Sequence, residues 1–452
     1  MRTVDLTRGP IFGSLVRFSL PMIAGNLLQQ IYNLADTLIV GRCIGAGALA
    51  AVGSVYTLMI FLTSVIIGLC MGSGAFFSVD HGAGDTRQLQ TDIRLSFWFI
   101  LAVTAGLYAL CYPDMGTILR LLQTPAELLG MTRAYVQVAF GGLVFTFLYN
   151  FFAYLLRALG NTRVPLAFLA VACVLNIGLD LWFVAGLRLG VTGAAWATVI
   201  AQAFSGVGIT VFALRRVPLL HSKRGGGLPV DRSRLWQIIS GDVATGLQQS
   251  VMNFGILMIQ GLVNSFGTVV MAAFAAAVKI DTLAYLPAQE FGNGYSLFVS
   301  QNYGAGQPER IRRGSRLAFL TSAGFCCVVS VCICLFAKGL MGLFVDSDQA
   351  AIIAAGVRYL RIEGAAYVGI GVLFLWYGYF RGVERPKVSL LLTVVSLGTR
   401  VALSYALAPH TALGVTAIWL SIPIGWVLAD LLGLALYRPT AKRLEQQLLN
   451  RR

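Results

Sequence analysis

Long apolar runs separated by short polar stretches dominate this chain. Runs such as 95–111 and 317–336 fall in the range of roughly 17 to 25 residues that carries a helix across about 30 Å of hydrocarbon. Twelve spans are predicted, at 14–40, 46–78, 95–113, 133–157, 163–186, 191–214, 235–263, 268–302, 316–344, 357–380, 388–408 and 412–437. The pattern predicts an all-α integral membrane protein. The most polar internal stretch, 215–234, holds Gly225, Gly226, Gly227 and Pro229 among six basic residues, which reads as a flexible linker. It divides the chain into an expected N-lobe at 1–214 and C-lobe at 235–437, with a tail at 438–452.

The two lobes repeat each other. Gln29 and Gln30 answer Gln248 and Gln249, Gly41 answers Gly261, and Gly72 and Gly74 answer Gly292 and Gly294. The run Gly82, Ala83, Gly84 answers Gly304, Ala305, Gly306. Later the offset settles at 224 residues, where Arg157 meets Arg381, and Gly190, Val191, Thr192 meet Gly414, Val415, Thr416. Six spans per repeat leave both copies in the same orientation, so a pseudo-twofold axis along the membrane normal is expected. In transporters with such parallel repeats, substrate lies between the halves near the midplane.

Composition agrees: 57% of residues are hydrophobic, 12% are charged and the mean hydropathy is +0.76. The net charge of +15 raises the question of a nucleic-acid partner, and its distribution answers it. Roughly 25 basic residues fall in one set of alternate loops and about 7 in the other, the positive-inside pattern that places both termini in the cytoplasm. No basic cluster interleaves with aromatics on a soluble module, so no nucleic-acid partner is expected. The partners expected are the lipid bilayer and a small organic substrate, with the chain acting as a monomer. Segment 1–10 lacks the short apolar stretch of a cleaved signal, so the first span is expected to direct insertion into the cell membrane. The eight cysteines lie mostly within apolar runs and read as buried small residues.

An ionisable residue within hydrocarbon costs at least about 2.5 to 3.5 kcal/mol and therefore marks a partner or a wet cavity. In the first span Gln29, Asn33 and Asp36 share one helical face, and Pro21, fifteen residues before Asp36, predicts a kink or movable segment. The fifth span sets Asn176 one turn before Asp180, and the sixth sets Thr198 one turn before Gln202. Two carboxylates, an amide oxygen and a hydroxyl are hard ligands suited to a small cation, and a carboxylate in an apolar setting also holds a proton. Sodium and proton both remain open as the ion held by Asp36, Asn176, Asp180 and Thr198. Asn253, Glu290 and Asn293, with Gln29, Asn33 and Gln202, are candidates to line a substrate cavity; for Glu290 a structural role with Lys279 or Asp281 is equally open. His81, His221 and His410 are far apart, and no nucleophile and base pair or phosphate loop is present. Neither an enzyme nor a cofactor is expected, and transport energy falls to an ion gradient.

The segment from Asn33 to Gly41 after Pro21, the loop of Arg157, Gly160 and Asn161, Asn176 with Asp180, and the loop from Gln301 to Gly306 together resemble the multidrug and toxic compound extrusion (MATE) family over nearly the whole chain. The resemblance implies two six-helix lobes around a cleft and export of organic cations by alternating access in exchange for protons or sodium. It implies an ion site at Asp36, Asn176, Asp180 and Thr198. Members that carry key carboxylates in the C-lobe place them on the seventh and tenth spans, where this chain has only Asp242 and Glu363 near the span ends. The repeat is also broken at the site, because Asn176 aligns with Arg400 and Asp180 with Ser404. A flippase for a lipid-linked saccharide, from the same wider superfamily, is the rival reading; Arg400 favours it and the acidic stripe of the first lobe opposes it.

Overall fold

The computed structural model describes residues 3–121, 126–220, 231–346 and 348–449. Among them there are fifteen α-helices and no strand. In chain order these are α1 (Ile11–Cys43), α2 (Ala46–Ala83), α3 (Thr86–Cys111), α4 (Met115–Leu121), α5 (Ala126–Gly141), α6 (Leu143–Ala158), α7 (Arg163–Asp180) and α8 (Gly190–Arg216). Then follow α9 (Arg232–Asn264), α10 (Thr268–Gly304), α11 (Pro308–Met341), α12 (Ala350–Gly364), α13 (Tyr367–Gly382), α14 (Pro386–Leu407) and α15 (Val415–Leu449). A π-helical turn, Leu181–Gly186, extends α7.

Among the described residues, ten helices or joined helices are long and apolar enough to cross a membrane, and α12 with α13, bent by 51°, makes an eleventh. The remaining long helix, α9, carries Asp242, Gln248, Gln249, Asn253 and Gln260, which lower its hydropathy. Each expected span therefore falls on a helix or a broken pair. The fourth is split at Gly142 and the tenth after Gly364. The helices outrun the spans because their polar ends continue past the apolar stretch: α2 reaches Ala83 and α11 begins at Pro308. Most of the expected tail, 438–452, is helical, since α15 runs through Pro439 to Leu449. Linker residues 221–230, with His221, and tail residues 450–452 lie outside the described residues.

The chain gathers into two units. Unit 1 comprises Met1–Val4, Ala24–His81 and Asp85–Gly246, and unit 2 comprises Asp5–Ile23, Gly82–Gly84 and Leu247–Arg452. This division differs from a cut at the linker, because the first part of α1 groups with unit 2 and the first part of α9 with unit 1. Local bonding explains the exchange. In unit 2 the Arg310 guanidinium donates to the carbonyls of Leu6, Arg8 and Gly9 at 3.1, 2.9 and 2.9 Å, and Asn302 donates to Leu6 at 3.1 Å. In unit 1 Arg234, on the first turn of α9, is ion-paired to Asp80 at 3.0 Å and to Asp92. Pro21 lies inside α1, which continues helical through it, and the unit boundary follows two residues later.

Within unit 1 the core joins α2, α3, α5, α6 and α8 through Ile66, Phe77, Ile100, Phe140, Phe147, Phe151 and Ile209, all buried. Small residues let helices approach closely: a Cβ at Gly206 of α8 would meet the Phe145 backbone of α6 at 2.6 Å. The opposite faces of the helices expose Trp98, Leu110, Val174 and, in unit 2, Leu335, as lipid-facing surfaces do. All eight cysteines are free thiols, and Cys43, Cys327 and Cys332 are exposed, not buried as expected.

Candidate functional site

Unit 1 brings the expected ion-site residues together. Asp36 comes from α1, Asn176 and Asp180 from the last turn of α7, and Thr198 from the middle of α8. Asp180 stands at the junction where α7 passes into the π-helical turn, a local widening that recurs at functional sites. The Asp36 and Asp180 carboxyl groups lie within hydrogen-bond reach of each other. With its amide nitrogen toward the acid, Asn176 donates to Asp180 Oδ2 at 3.1 Å and its oxygen accepts from the Thr198 backbone at 3.3 Å. With the amide reversed, the nitrogen reaches Thr198 Oγ1 at 3.4 Å. The hydrogen-bond network favours the first orientation, because the second sets the amide oxygen against an acceptor.

Asp180 is fully buried and Asn176 nearly so. Asp36 Oδ1 and Asp180 Oδ1 are both shielded and have no hydrogen-bond partner among the described residues. Two bare carboxylates this close repel by about 4 kcal/mol at the effective dielectric of a protein, so the pair calls for a shared proton or an intervening cation. The two unpaired carboxylate oxygens are hard ligands that suit sodium, while Asn176 in the favoured orientation turns its nitrogen toward Asp180 and its oxygen to the Thr198 backbone. Among the described residues no group of three His, Cys, Asp or Glu side chains suits another metal.

Two further groups face this pair. Asp36 acts electrostatically on Tyr32, one turn before it on α1, and both acids act on Tyr135 of α5. Tyr32 was readable from its spacing. Nothing in the sequence near Tyr135 placed it opposite residues on α1 and α7.

The remaining candidates are more dispersed. In unit 1, Gln29 is exposed and Asn33 half-buried on α1. Half-buried Gln202 packs over the break at Gly142, where a Cβ would collide with its Oε1. In unit 2, Asn253 is half-buried on α9. Glu290 is buried and accepts from Asn293 at 3.2 Å, and Asn293 in turn accepts from Arg381 of α13 at 3.0 Å. Arg381 also donates to Ser296 at 3.1 Å. Glu290 and Asn293 thus belong to a buried network tying α10 to α13.

Arg400, Asp281 and Glu363 form a second charged cluster inside unit 2. Both acids are buried, and Arg400 acts electrostatically on each. Tyr367 donates to Asp281 at 2.5 Å, and Tyr359 to its other oxygen at 3.5 Å. Asp281 escaped the sequence reading as a site residue because its partners lie 78 to 119 positions further on.

A helical bundle whose spans repeat and whose carboxylates are buried within them defines a multi-pass membrane transporter. The MatE family profile matches residues 21–182 and again 244–406, and the chain belongs to this family, the multidrug and toxic compound extrusion transporters. The double match coincides with the internal repeat. Among its relatives is the probable multidrug resistance protein YpnP of Bacillus subtilis, 30% identical over 88% of each chain. Another is an FAD transporter of Shewanella oneidensis, 23% identical over 96% of this chain and 95% of that one. The fold matches that of an outward-facing multidrug resistance MATE family transporter with a TM-score of 0.91, at 24% identity, covering 98% of this chain and 99% of the other.

Proposed function

We propose that this transporter exports organic cations in exchange for protons or sodium ions, and that the exchanged ion is held by Asp36 and Asp180 with Asn176 and Thr198. The observation that carries this reading is the acid pair itself, two carboxyl groups in mutual contact with an unpaired oxygen on each. A bound ion stabilises whichever conformation lets the carboxyl groups stay together, and discharge of the ion favours the conformation that separates them. An ion drives transport only through such a difference in affinity between states. Names of relatives such as YpnP support drug export.

The FAD transporter gives the alternative of an anionic cargo, as does the flippase reading. Such a cargo needs an available cation within the protein. Arg400, the basic residue that favoured it, is instead within electrostatic reach of two buried acids.

The test is a reconstituted vesicle assay with a fluorescent aromatic cation, imposing proton and sodium gradients separately. The reading expects uphill dye movement under one of the two and none without a gradient. Movement of a polyanion but not of the dye would refute the cationic substrate class.

A further inference from the structure

Within unit 2 the first part of α1 packs beside α10 and α11, and the three helices leave a groove. Val16, Leu20 and Ile23 of α1 line it with Pro287 and Phe291 of α10 and Phe325 of α11, all of them residues of unit 2. The space measures about 530 Å³, inside the roughly 300–1,000 Å³ range of small-molecule sites. It opens on the outer face of the unit, where Leu20 is 61% and Phe325 39% exposed, and exposed Leu320 and Val328 of α11 continue the apolar surface.

Three hydroxyls stand in the walls, and each is engaged or shielded. Ser322 donates to the Gly371 carbonyl at 3.2 Å and Thr321 to the Leu317 carbonyl at 2.8 Å. The Ser19 Oγ is shielded and lies against Gly294. A held water needs about two to four polar partners, which these walls do not supply. The groove suits hydrocarbon.

The polar end of the groove carries charge of one sign. Arg310 of α11 donates to the carbonyls of Leu6, Arg8 and Gly9 just before α1, so α1 and α11 start at one level and run the same way. Arg17 stands three residues before Leu20, and Arg316 five before Thr321. At about 1.5 Å per residue they lie roughly 5 and 8 Å nearer that end. Both are exposed, and neither has an ion-pair partner among the described residues. The acids at this end are already taken: Glu309 by Arg312 at 3.0 Å and Arg313 at 2.9 Å, and Asp5 by Arg8 at 3.7 Å. An apolar slot that ends at two unpaired guanidinium groups matches a hydrocarbon chain with an anionic head. Guanidinium groups bind phosphate oxygens through paired hydrogen bonds, whereas the same charges repel an organic cation.

We propose that this groove binds one acidic phospholipid of the surrounding bilayer, with an acyl chain between α1, α10 and α11 and the phosphate at Arg17 and Arg316. The site lies wholly in unit 2 and does not depend on the ion reading of Asp36 and Asp180.

The experiment titrates the full-length protein, purified in detergent and freed of lipid, with dioleoyl phosphatidylglycerol or dioleoyl phosphatidylcholine, and counts lipid retained per chain by native mass spectrometry. One phosphatidylglycerol is expected to be retained at concentrations that leave phosphatidylcholine unbound. Arg17→Gln and Arg316→Gln are each expected to weaken its retention on the order of fivefold, the weight of one basic residue against an anionic lipid. Leu20→Trp, at an exposed position, crowds the slot while leaving both arginines in place, and is expected to lower retention too. Equal retention of the two lipids, or unchanged retention in Leu20→Trp, overturns the proposal. Excess inorganic phosphate separates head from whole lipid: bound phosphatidylglycerol that persists supports the proposal, and its displacement means a phosphate site without the groove and overturns it. Displacement by a fluorescent aromatic cation makes the groove a cargo site and likewise overturns it.

Discussion

Replacing Asp36 by Asn keeps the size of the side chain and one acceptor oxygen but removes the charge on which the proposed ion site depends. On the proposed reading one ion is held between Asp36 and Asp180, with Asn176 bonded to Asp180. One ion per cycle fixes the largest gradient the protein can build. A tenfold ion gradient is worth about 1.4 kcal/mol, so exchange for one substrate molecule supports an approximately tenfold accumulation of that substrate. Exchange of one monovalent ion for a monovalent organic cation moves no net charge, so this limit is expected to be insensitive to membrane voltage. With Asp36→Asn the accumulation is expected to collapse to about onefold, while downhill dye exchange persists. The measurement is steady-state dye distribution across reconstituted vesicles at a fixed tenfold gradient of the active ion, with elution profile and thermal midpoint checked in detergent. Tenfold accumulation by a folded Asp36→Asn protein would refute the assignment.

Other expectations follow from individual contacts. Asn176→Leu removes the amide that ties Asp180 to α8, and is expected to weaken ion binding by about 10- to 100-fold, the usual cost of losing a group that orients a ligand, as read from the ion concentration giving half-maximal dye movement. Arg234→Ala leaves Asp92, fully buried, and Asp80, nearly so, without their shared guanidinium, a loss on the order of 3–5 kcal/mol. Its thermal midpoint is expected to fall well below that of the intact protein, and a midpoint within a degree would show that the ion pairs are solvent-screened. Gly160 has φ +86°, and a Cβ there would run into the Val4 carbonyl, while Val4 N donates to the Gly160 carbonyl at 2.9 Å. Gly160→Ala is expected to cost at least about 1–2 kcal/mol in backbone strain alone, visible as a lowered midpoint with ion coupling retained.

Helix positions were legible because spanning length and apolar continuity are local properties of the sequence. The repeat was legible for a different reason. Several of its matched residues are backbone necessities: Gly84 and Gly306 have φ +73° and +64°, and Gly190 and Gly414 have φ +64° and +51°, conformations that favour glycine in either copy. Even Gly160 has its counterpart at the same offset in Glu384, which holds φ +58° with a side chain. The candidate site was legible through helical spacing, because Asn176 and Asp180 share a face and Asp36 continues a polar stripe. What spacing cannot encode is which helices meet. Tyr135 and Asp281 owe their places to packing between distant segments, and the exchange of the first parts of α1 and α9 between units depends on bonds made by Arg310 and Arg234 to residues 142 to 304 positions away.

The polar differences between the repeats therefore carry more functional information than their shared scaffold. A glycine at a left-handed turn is required by the fold in both copies, whatever either copy binds. An acid buried in a membrane span is not required by the fold, because burying it carries a penalty that an apolar residue avoids. Unit 2 buries Asp281 and Glu363, and unit 1 holds Asp180 and Asp36 in the site proposed to take a proton or an ion. On the proposed reading, coupling depends on the acid pair of unit 1. It follows that neutralising Asp281 or Glu363 should act on folding stability, whereas neutralising Asp36 or Asp180 should act on the gradient the transporter can sustain.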